Sequence, residues 1–200
     1  MFPLCERIPD VFSKKQNAKR LFRLEKRPVS CYSIIQEAIR MMILYHGSNI
    51  QVNEPRIPER LRALDFGAGF YTTSSREQAE KWARVVTKRR RNGAPTVSSY
   101  SFDDMSLAAL RVLKFDSPSE DWLDFVVANR KELPVAAYDL VIGPIANDTT
   151  LPVIDDYADG RYTKAEAIER LLPQKLTDQF AFLTPMALSL LTFRKSEVLP

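Results

Sequence analysis

From Met42 to the C-terminus, short strands and helices follow one another without the regular strand–helix–strand rhythm of a doubly wound sheet. Short apolar or alternating runs bounded by turn residues predict the strands. Apolar residues at every third or fourth position, behind a capping Ser or Thr, predict the helices. Because strands dominate and the helices are irregularly interspersed, we predict an α+β fold rather than an α/β fold.

Individual elements can be placed on the sequence. In the helix predicted from SSREQAEKWARVVTKR, Ser74 or Ser75 is the cap, and the expected buried stripe is Ala79, Trp82, Ala83 and Val86. The other predicted helices are SEDWLDFVVANR capped by Ser119, TKAEAIERLL capped by Thr163 with Glu166 in a capping box, and PMALSLL. The predicted strands are 43–45, 70–72 and the runs TVSSYSFD, ALRVLKFD, AAYDLVIGPIA, DQFAFLT and TFRKSEVL.

Charge separates residues 1–41 from the rest of the chain. Residues 1–41 hold nine basic and four acidic side chains, whereas residues 42–200 hold 20 basic and 21 acidic ones. By charge alone, the part from Met42 onward does not look like a nucleic-acid-binding domain. We therefore predict a basic extension over residues 1–41, with a short helix in CYSIIQEAIRM, and one domain over residues 42–200.

The cysteines and the hydropathy of the chain bear on its location. Both cysteines, Cys5 and Cys31, fall in the basic extension, so no disulfide framework holds the main domain. This usage suits a reducing cytosol, and we expect a cytoplasmic protein. No run of 18 apolar residues occurs, so we expect no membrane span.

Several common site motifs are absent or incomplete. Gly67 and Gly69 match only half of a dinucleotide-binding glycine motif, and they lead into a strand rather than a helix. With one histidine and no cysteine after residue 41, we expect no metal site. No G-x-S-x-G elbow supplies a nucleophile for a triad that would use His46.

The most informative stretch is YHGSN, which contains the single histidine of the chain. Glycine permits a ligand to approach the main chain, so a planar amide could pair with the N–H and C=O of Gly47. Tyr71 follows GAG on a short strand, where its ring could stack on a heterocycle such as nicotinamide. The imidazole of His46 could donate to ribose hydroxyls. The same residues also fit a half-buried structural histidine and a core tyrosine.

These stretches resemble known sequences. YHGS followed by GAGFYTT resembles the first two motifs of the ADP-ribosyltransferase fold, in the His-Tyr branch of diphtheria toxin and the poly(ADP-ribose) polymerases. MILYHGSN, DFGAGFYTTSSREQAEKWA, YDLVIGPIAND and DQFAFLTPMALSLLTF together are similar to the bacterial DUF3990 proteins, over roughly residues 42–195. Members of that family are predicted ADP-ribosyltransferases, often toxins of toxin–antitoxin pairs. The resemblance implies a split β-sheet core with interspersed helices.

The resemblance also implies roles for named residues. NAD would be the co-substrate, with His46 on a ribose, Gly47 clamping the nicotinamide amide beside Ser48, and Tyr71 stacking on the nicotinamide ring. Thr72 and Thr73 would be nearby hydroxyl donors. The implied function is mono-ADP-ribosyl transfer to a macromolecular acceptor, either protein or nucleic acid, by a toxin-like protein with a possible antitoxin partner.

The third motif departs from the family pattern. Most transferases of this fold have a glutamate at the start of a late strand, and Gln179 stands there in this chain. An amide can bond a ribose hydroxyl but carries no charge, which favours mono-transfer over polymer formation. Asp148, in GPIANDTT, is a second candidate catalytic group, with an Asx-turn as its structural alternative. A regular strand would point Asp178 to the opposite face from Gln179. A catalytically degenerate NAD-binding module and an NAD glycohydrolase remain alternative functions.

Overall fold

Two β-sheets form the frame of the protein. The structure is a computed structural model that describes residues 41–58, 64–146, 149–174 and 176–200. The first sheet has three antiparallel strands in the order β1-β3-β7, and the second has four strands in the order β2-β6-β5-β4. Only β4 and β5 pair in parallel within these sheets. The strands are β1 Met42–Ser48, β2 Phe70–Thr72, β3 Thr96–Phe102, β4 Val112–Lys114, β5 Leu140–Pro144, β6 Asp178–Phe182 and β7 Leu191–Val198.

Five α-helices lie among the described residues, so the predicted α+β class is confirmed. They are α1 Arg76–Arg90, α2 Glu120–Arg130, α3 Leu151–Ala158, α4 Lys164–Leu171 and α5 Pro185–Leu188. Ser75 and Ser119 cap α1 and α2 through their hydroxyl oxygens, as predicted. Thr163 and Glu166 form the predicted capping box of α4. Helix α3 was not predicted from the sequence. The predicted helix within residues 1–41 lies outside the described residues.

The main core lies where the two sheets face each other. Leu44, Tyr100 and Phe102 come from the first sheet, and Phe70, Phe180 and Phe182 come from the second. The Phe102 ring meets the rings of Phe180 and Phe182 edge to face, at centroid distances of 5.8 and 5.7 Å. Buried aromatic pairs of this kind contribute about 0.5–1.5 kcal/mol beyond the area that they bury. The facing sheets are therefore held by aromatic packing.

Helices cover the outer face of the second sheet. Trp122, Leu123 and Val126 of α2 pack there in one cluster with Val141 of β5 and Ala181 of β6. Trp122 is fully buried, and its indole N–H donates to the Pro144 carbonyl at 3.1 Å. This bond satisfies the one polar atom of the indole ring, so the large side chain fits an apolar site without an unpaired donor.

Helix α1 covers the outer face of the first sheet at very short range. Ala79 and Ala83 are buried against β1 and β3, and the closest approach is at Gly47. Trp82 was predicted in the buried stripe of α1, and this is wrong: its side chain is 45% exposed, with the Arg89 guanidinium over the ring. The helix therefore packs through its smallest side chains and leaves the large one outside, because a wide stripe would hold it away from the sheet.

We predict that Gly47→Ala strongly destabilises the protein. An added Cβ would lie 2.0 Å from the Ala79 carbonyl oxygen and 2.8 Å from the Ala83 nitrogen, which are rigid helix backbone atoms. Helix α1 must then move off β1, and we expect the free energy of unfolding to fall by about 3 kcal/mol in urea denaturation.

Gly160→Ala is the matched control for this substitution. Its Cβ would meet nothing within 4 Å, so only the positive φ of 76° opposes the change. The left-handed conformation costs about 1 kcal/mol. Equal losses in the two variants would contradict the conclusion that α1 is held against β1 at van der Waals contact.

Candidate functional site

The two sheets touch edge to edge at one residue pair of the described chain. The Tyr45 N–H donates to the Thr73 carbonyl at 2.8 Å, and the Thr73 N–H donates to the Tyr45 carbonyl at 3.0 Å. Strand β1 is the edge of its sheet and β2 is the edge of the other. Past this pair the two strands no longer bond each other. We call residues 45–47 of β1 together with residues 71–73 of β2 the seam.

Gly47 is buried at the seam, and the backbone edge that it turns away from β3 has no backbone partner among the described residues. Strand β1 pairs with β3 in regular antiparallel register from Met42 to Ser48, so successive residues direct their backbone groups to alternate sides. Tyr45 bonds Thr73 on the side away from β3, and Gly47 therefore directs its N–H and C=O to that same side. The role of Gly47 as a backbone clamp stays a prediction. The contact with α1 gives a structural reason for glycine at this position.

His46 is tied to Tyr71 across the seam. Its Nδ1 lies 2.7 Å from the Tyr71 carbonyl oxygen, and its ring stacks on Phe70 at a centroid distance of 4.4 Å. A carbonyl oxygen only accepts, so Nδ1 carries the proton. Burial lowers the pKa of His46, and the charge of Arg90 acts in the same direction, against the favourable bond to Tyr71. The neutral ring then offers Nε2 as an acceptor, whereas donation to a ribose was expected.

The Tyr71 side chain is anchored at its hydroxyl end. The hydroxyl donates to the Gly67 carbonyl at 2.6 Å and accepts from the Phe66 N–H at 3.1 Å. Burial raises the pKa of Tyr71, so the hydroxyl stays protonated at neutral pH. The ring is half-buried on the face of the second sheet that also carries its cross-strand partner Ala181. Tyr71 is thus fixed by the pairing of its backbone in β2 and by the two hydrogen bonds of its hydroxyl.

Gln179 lies on the same face of the second sheet as Tyr71. It stands two residues before Ala181 on β6, which places the two side chains on one face. The side chain is buried, with a residue exposure of 6%. Its Nε2 is also buried and completes no hydrogen bond with a described residue. Most buried amide nitrogens have a hydrogen-bond partner, so this one is unusual.

A buried ion pair between Asp65 and Arg130 was missed by the sequence analysis. Asp65 Oδ1 accepts from Nε and Nη2 of Arg130, both at 2.7 Å, and the two side chains are 13% and 27% exposed. Burial raises the pKa of Asp65, while the charge of Arg130 and its hydrogen bonds oppose that rise. No local pattern predicts a contact between residues 65 positions apart. The only sequence signal was the position of Asp65 directly before the FGAG turn.

The remaining predicted residues are placed as follows. Ser48 is buried at the end of β1, and Thr72 is buried with no partner for its hydroxyl among the described residues. Thr73 donates to Asp178 at 3.1 Å, so its hydroxyl is already engaged. Asp178 also accepts from the Ser74 N–H at 2.8 Å. Asp148 lies outside the described residues.

Other features of the described surface lie away from the seam. One depression is lined by Phe115, Phe125 and Tyr138 among others, and a second by Arg130, Asp155 and Arg161 among others. Within the described ranges, no three His, Cys, Asp or Glu side chains are grouped as a metal site would need. In the same part of the chain, no helix has the length and apolar character to cross a membrane. The candidate site is therefore a polar seam between two sheets.

We predict that His46 makes the unfolding free energy fall as the pH falls below about 6.5, the ordinary histidine pKa. The unfolded chain binds a proton there, whereas the folded chain, with its lowered pKa, binds it only at lower pH. The contribution is fully present above that pH and is lost as the pH falls through the folded-state pKa.

His46→Asn is the matched variant, because an Asn N–H can replace Nδ1–H without titrating. Urea unfolding from pH 7.5 to 5 should show a smaller loss of stability in the variant than in the wild type. Asp65 titrates in both proteins, so the difference isolates the single histidine. Parallel curves would contradict the burial of His46 in its neutral form.

Comparison with known proteins gives one match. The model of the family described as "Protein of unknown function (DUF3990)" matches residues 42–193, from the start of β1 into β7. No curated protein and no solved structure matches the chain significantly. The matched range is well over half of the 200 residues and contains every residue of the seam. The chain therefore belongs to the DUF3990 family, as its sequence resemblance predicted.

Proposed function

We propose that this protein is an NAD-dependent mono-ADP-ribosyltransferase, and that its two sheets are the split core of the ADP-ribosyltransferase fold. One observation carries the proposal: the open backbone edge of Gly47 lies at the seam, where His46 is bonded to Tyr71. A site that binds a nicotinamide riboside needs three groups: an unpaired backbone edge, an anchored aromatic ring and an imidazole acceptor. The order of the motifs along the chain supports the same assignment.

Substrate binding in this proposal uses the three groups in turn. The Gly47 N–H donates to the carboxamide oxygen of nicotinamide, and the Gly47 carbonyl accepts from the carboxamide N–H. The Tyr71 ring stacks on the nicotinamide, held by its hydroxyl bonds to residues 66 and 67. His46 accepts a ribose hydroxyl at Nε2, because Nδ1–H is engaged by Tyr71. Backbone groups and locked side chains make this site preorganised.

The chemical step breaks the bond between ribose C1′ and the nicotinamide nitrogen. The electron pair leaves with the nicotinamide, which becomes neutral, and positive charge develops on the ribose as in an oxocarbenium ion. A nucleophile of the acceptor then bonds C1′ and releases its proton. Gln179 bonds the ribose 2′-hydroxyl without adding a charge, which suits one transfer rather than chain growth. Positioning and charge stabilisation dominate such barriers.

The same proposal covers the acceptor of the ADP-ribose group and the cellular role of the protein. The acceptor is a macromolecule, either protein or nucleic acid, and the protein acts as a cytoplasmic toxin-like effector that an antitoxin partner restrains. A second function, an NAD-binding module without turnover, is favoured by one observation: the uncharged Gln179 stands where these transferases have a glutamate. An NAD glycohydrolase differs only in that water attacks C1′.

We predict that the full chain releases nicotinamide from NAD and labels a component of a bacterial lysate. Tyr71→Ala should lower the release rate by about 10-fold to 100-fold, because base–aromatic stacking is worth about 1–3 kcal/mol. Tyr71→Phe keeps the ring and should retain more activity than Tyr71→Ala. The readouts are free nicotinamide, transferred label and the shift in melting temperature that NAD produces.

Tyr157→Phe is the control, since it removes a surface hydroxyl that donates to Asp124 at 2.7 Å. It should match the wild type in every readout. NAD stabilisation with no nicotinamide release would instead support the binding module. Nicotinamide release without a labelled acceptor would support the glycohydrolase. A wild-type protein that neither binds nor cleaves NAD rejects the proposal.

A further inference from the structure

The outer face of α1 carries a strongly basic patch. Residues 81–91 hold six basic side chains and no acidic one, although residues 42–200 as a whole are nearly neutral. All six basic residues are exposed, while the opposite side of the helix is buried against the first sheet. The near-neutral total therefore conceals a local concentration of positive charge, and it is the local field that attracts a polyanion.

Carboxylates neutralise only the first part of this patch. Lys81 and Arg84 each have a glutamate one turn earlier, at 2.8 and 4.0 Å. Lys88, Arg89 and Arg91 form no ion pair with any residue that the structure describes. The helix dipole favours basic side chains in a last turn. It gives no reason, however, for the exposed aromatic side chain on the same face.

That aromatic side chain is Trp82. It is 45% exposed, and Val85, one turn later, is 42% exposed. The Arg89 guanidinium lies 5.5 Å from the centroid of the Trp82 ring. The three residues recur at helical spacing, so they share one strip of the surface. Because tryptophan is highly buried on average, an exposed one beside unpaired cations favours a binding surface over a merely solvated helix face.

The turn that follows α1 fixes the basic end of the helix. Arg90 Nη1 donates to the Asn49 side-chain oxygen at 2.7 Å, and Asn49 Nδ2 donates to the Asn92 side-chain oxygen at 2.7 Å. Gly93 packs on the same residue, since an added Cβ would lie 2.1 Å from the Asn49 carbonyl oxygen. The end of α1 is thus tied to the end of β1, and the neighbouring charges are presented from a fixed backbone.

We propose that the outer face of α1 binds single-stranded nucleic acid, with Trp82 stacking on a base and Lys88, Arg89 and Arg91 contacting phosphates. Residues 81–91 span about 15 Å of helix, which is long enough to meet consecutive phosphates. Every base has a π-face, so stacking on Trp82 requires no particular sequence. An acidic peptide would match the charge without needing the ring, and a duplex keeps the faces of its bases stacked on one another. The inference does not rest on the proposed NAD chemistry.

Salt-dependent binding separates the two kinds of contact. The probe is a labelled single-stranded oligothymidylate of about 12 nucleotides, titrated with the full chain. Trp82→Ala should weaken binding by about 10-fold to 100-fold with an unchanged salt dependence, and Trp82→Phe should recover part of the loss. The triple variant Lys88→Gln/Arg89→Gln/Arg91→Gln should lower the slope of log affinity against log salt by about 2, because each phosphate contact contributes about 0.7.

Arg170→Gln is the matched control. Arg170 also lies in the last turn of a helix and over an aromatic ring, 4.2 Å from the centroid of Tyr162. Helix α4, however, holds as many acidic as basic side chains, so this variant should bind the probe like the wild type. The basic residues 1–41 are present in every variant, so differences between variants report on α1 alone. Melting curves show that each variant is folded.

Tryptophan fluorescence provides a second readout in the wild type. The chain has two tryptophans, and Trp122 is fully buried, so quenching by the probe should come from Trp82. Purely electrostatic binding would leave this signal unchanged. The inference is overturned if the wild type does not bind the probe at low salt, or if Trp82→Ala binds it equally well.

Two further probes test the chemistry of the partner. Polyglutamate and a DNA duplex of the same sequence length should bind more weakly than the single strand and should not respond to Trp82→Ala. If polyglutamate binds as tightly as the single strand, the face suits an acidic protein instead, and the inference is rejected. Equal binding of the duplex rejects the stacking role. Nicotinamide release is a separate measurement, so either rejection leaves the proposed transferase standing.

Discussion

Tyr45 and Thr73 exchange two backbone hydrogen bonds, and the way in which the two sheets meet depends on that exchange. It aligns the edge of a three-stranded sheet with the edge of a four-stranded sheet, and the aromatic core then holds the two facing each other. Because the strands separate directly after it, backbone groups that would otherwise pair are left open at Gly47. A sheet edge is ordinarily a liability that a protein must cover. Here the open length is short and flanked by α1.

At the seam, single contacts each fix more than one residue. Helix α1 can cover β1 closely only because residue 47 has no side chain. The Tyr71 carbonyl fixes the tautomer of His46, while the Tyr71 hydroxyl fixes the segment that carries Asp65. The Asp65–Arg130 pair in turn ties that segment to the last turn of α2. Each side chain of the site is therefore oriented by another, which is what a preorganised site requires.

Features with local signals were predictable from the sequence. Ser75, Ser119 and Thr163 were identified as caps because a cap depends on three or four neighbouring residues. The bounds 70–72 of β2 were also correct. Helix α3 was missed because Thr150 makes no side-chain cap bond to it, whereas α4 has the same length and a capping box that marks its start. Trp82 was misplaced because a helical stripe does not tell how near the sheet lies, and the buried residues of α1 are Ala79, Ala83 and Val86.

In the candidate site too, residues with a local motif were identified from the sequence, whereas the contacts between distant residues were not. Motifs made His46, Gly47, Tyr71 and Gln179 candidates, yet the protonated nitrogen of His46 depends on a carbonyl 25 residues away. The Asp65–Arg130 pair exists only in the folded chain. Since the chain contains a single histidine and that ring lies in the seam, one imidazole signal in an NMR spectrum observes the site without competition from other histidines. The protein thus carries its own spectroscopic probe at the place where its two sheets part.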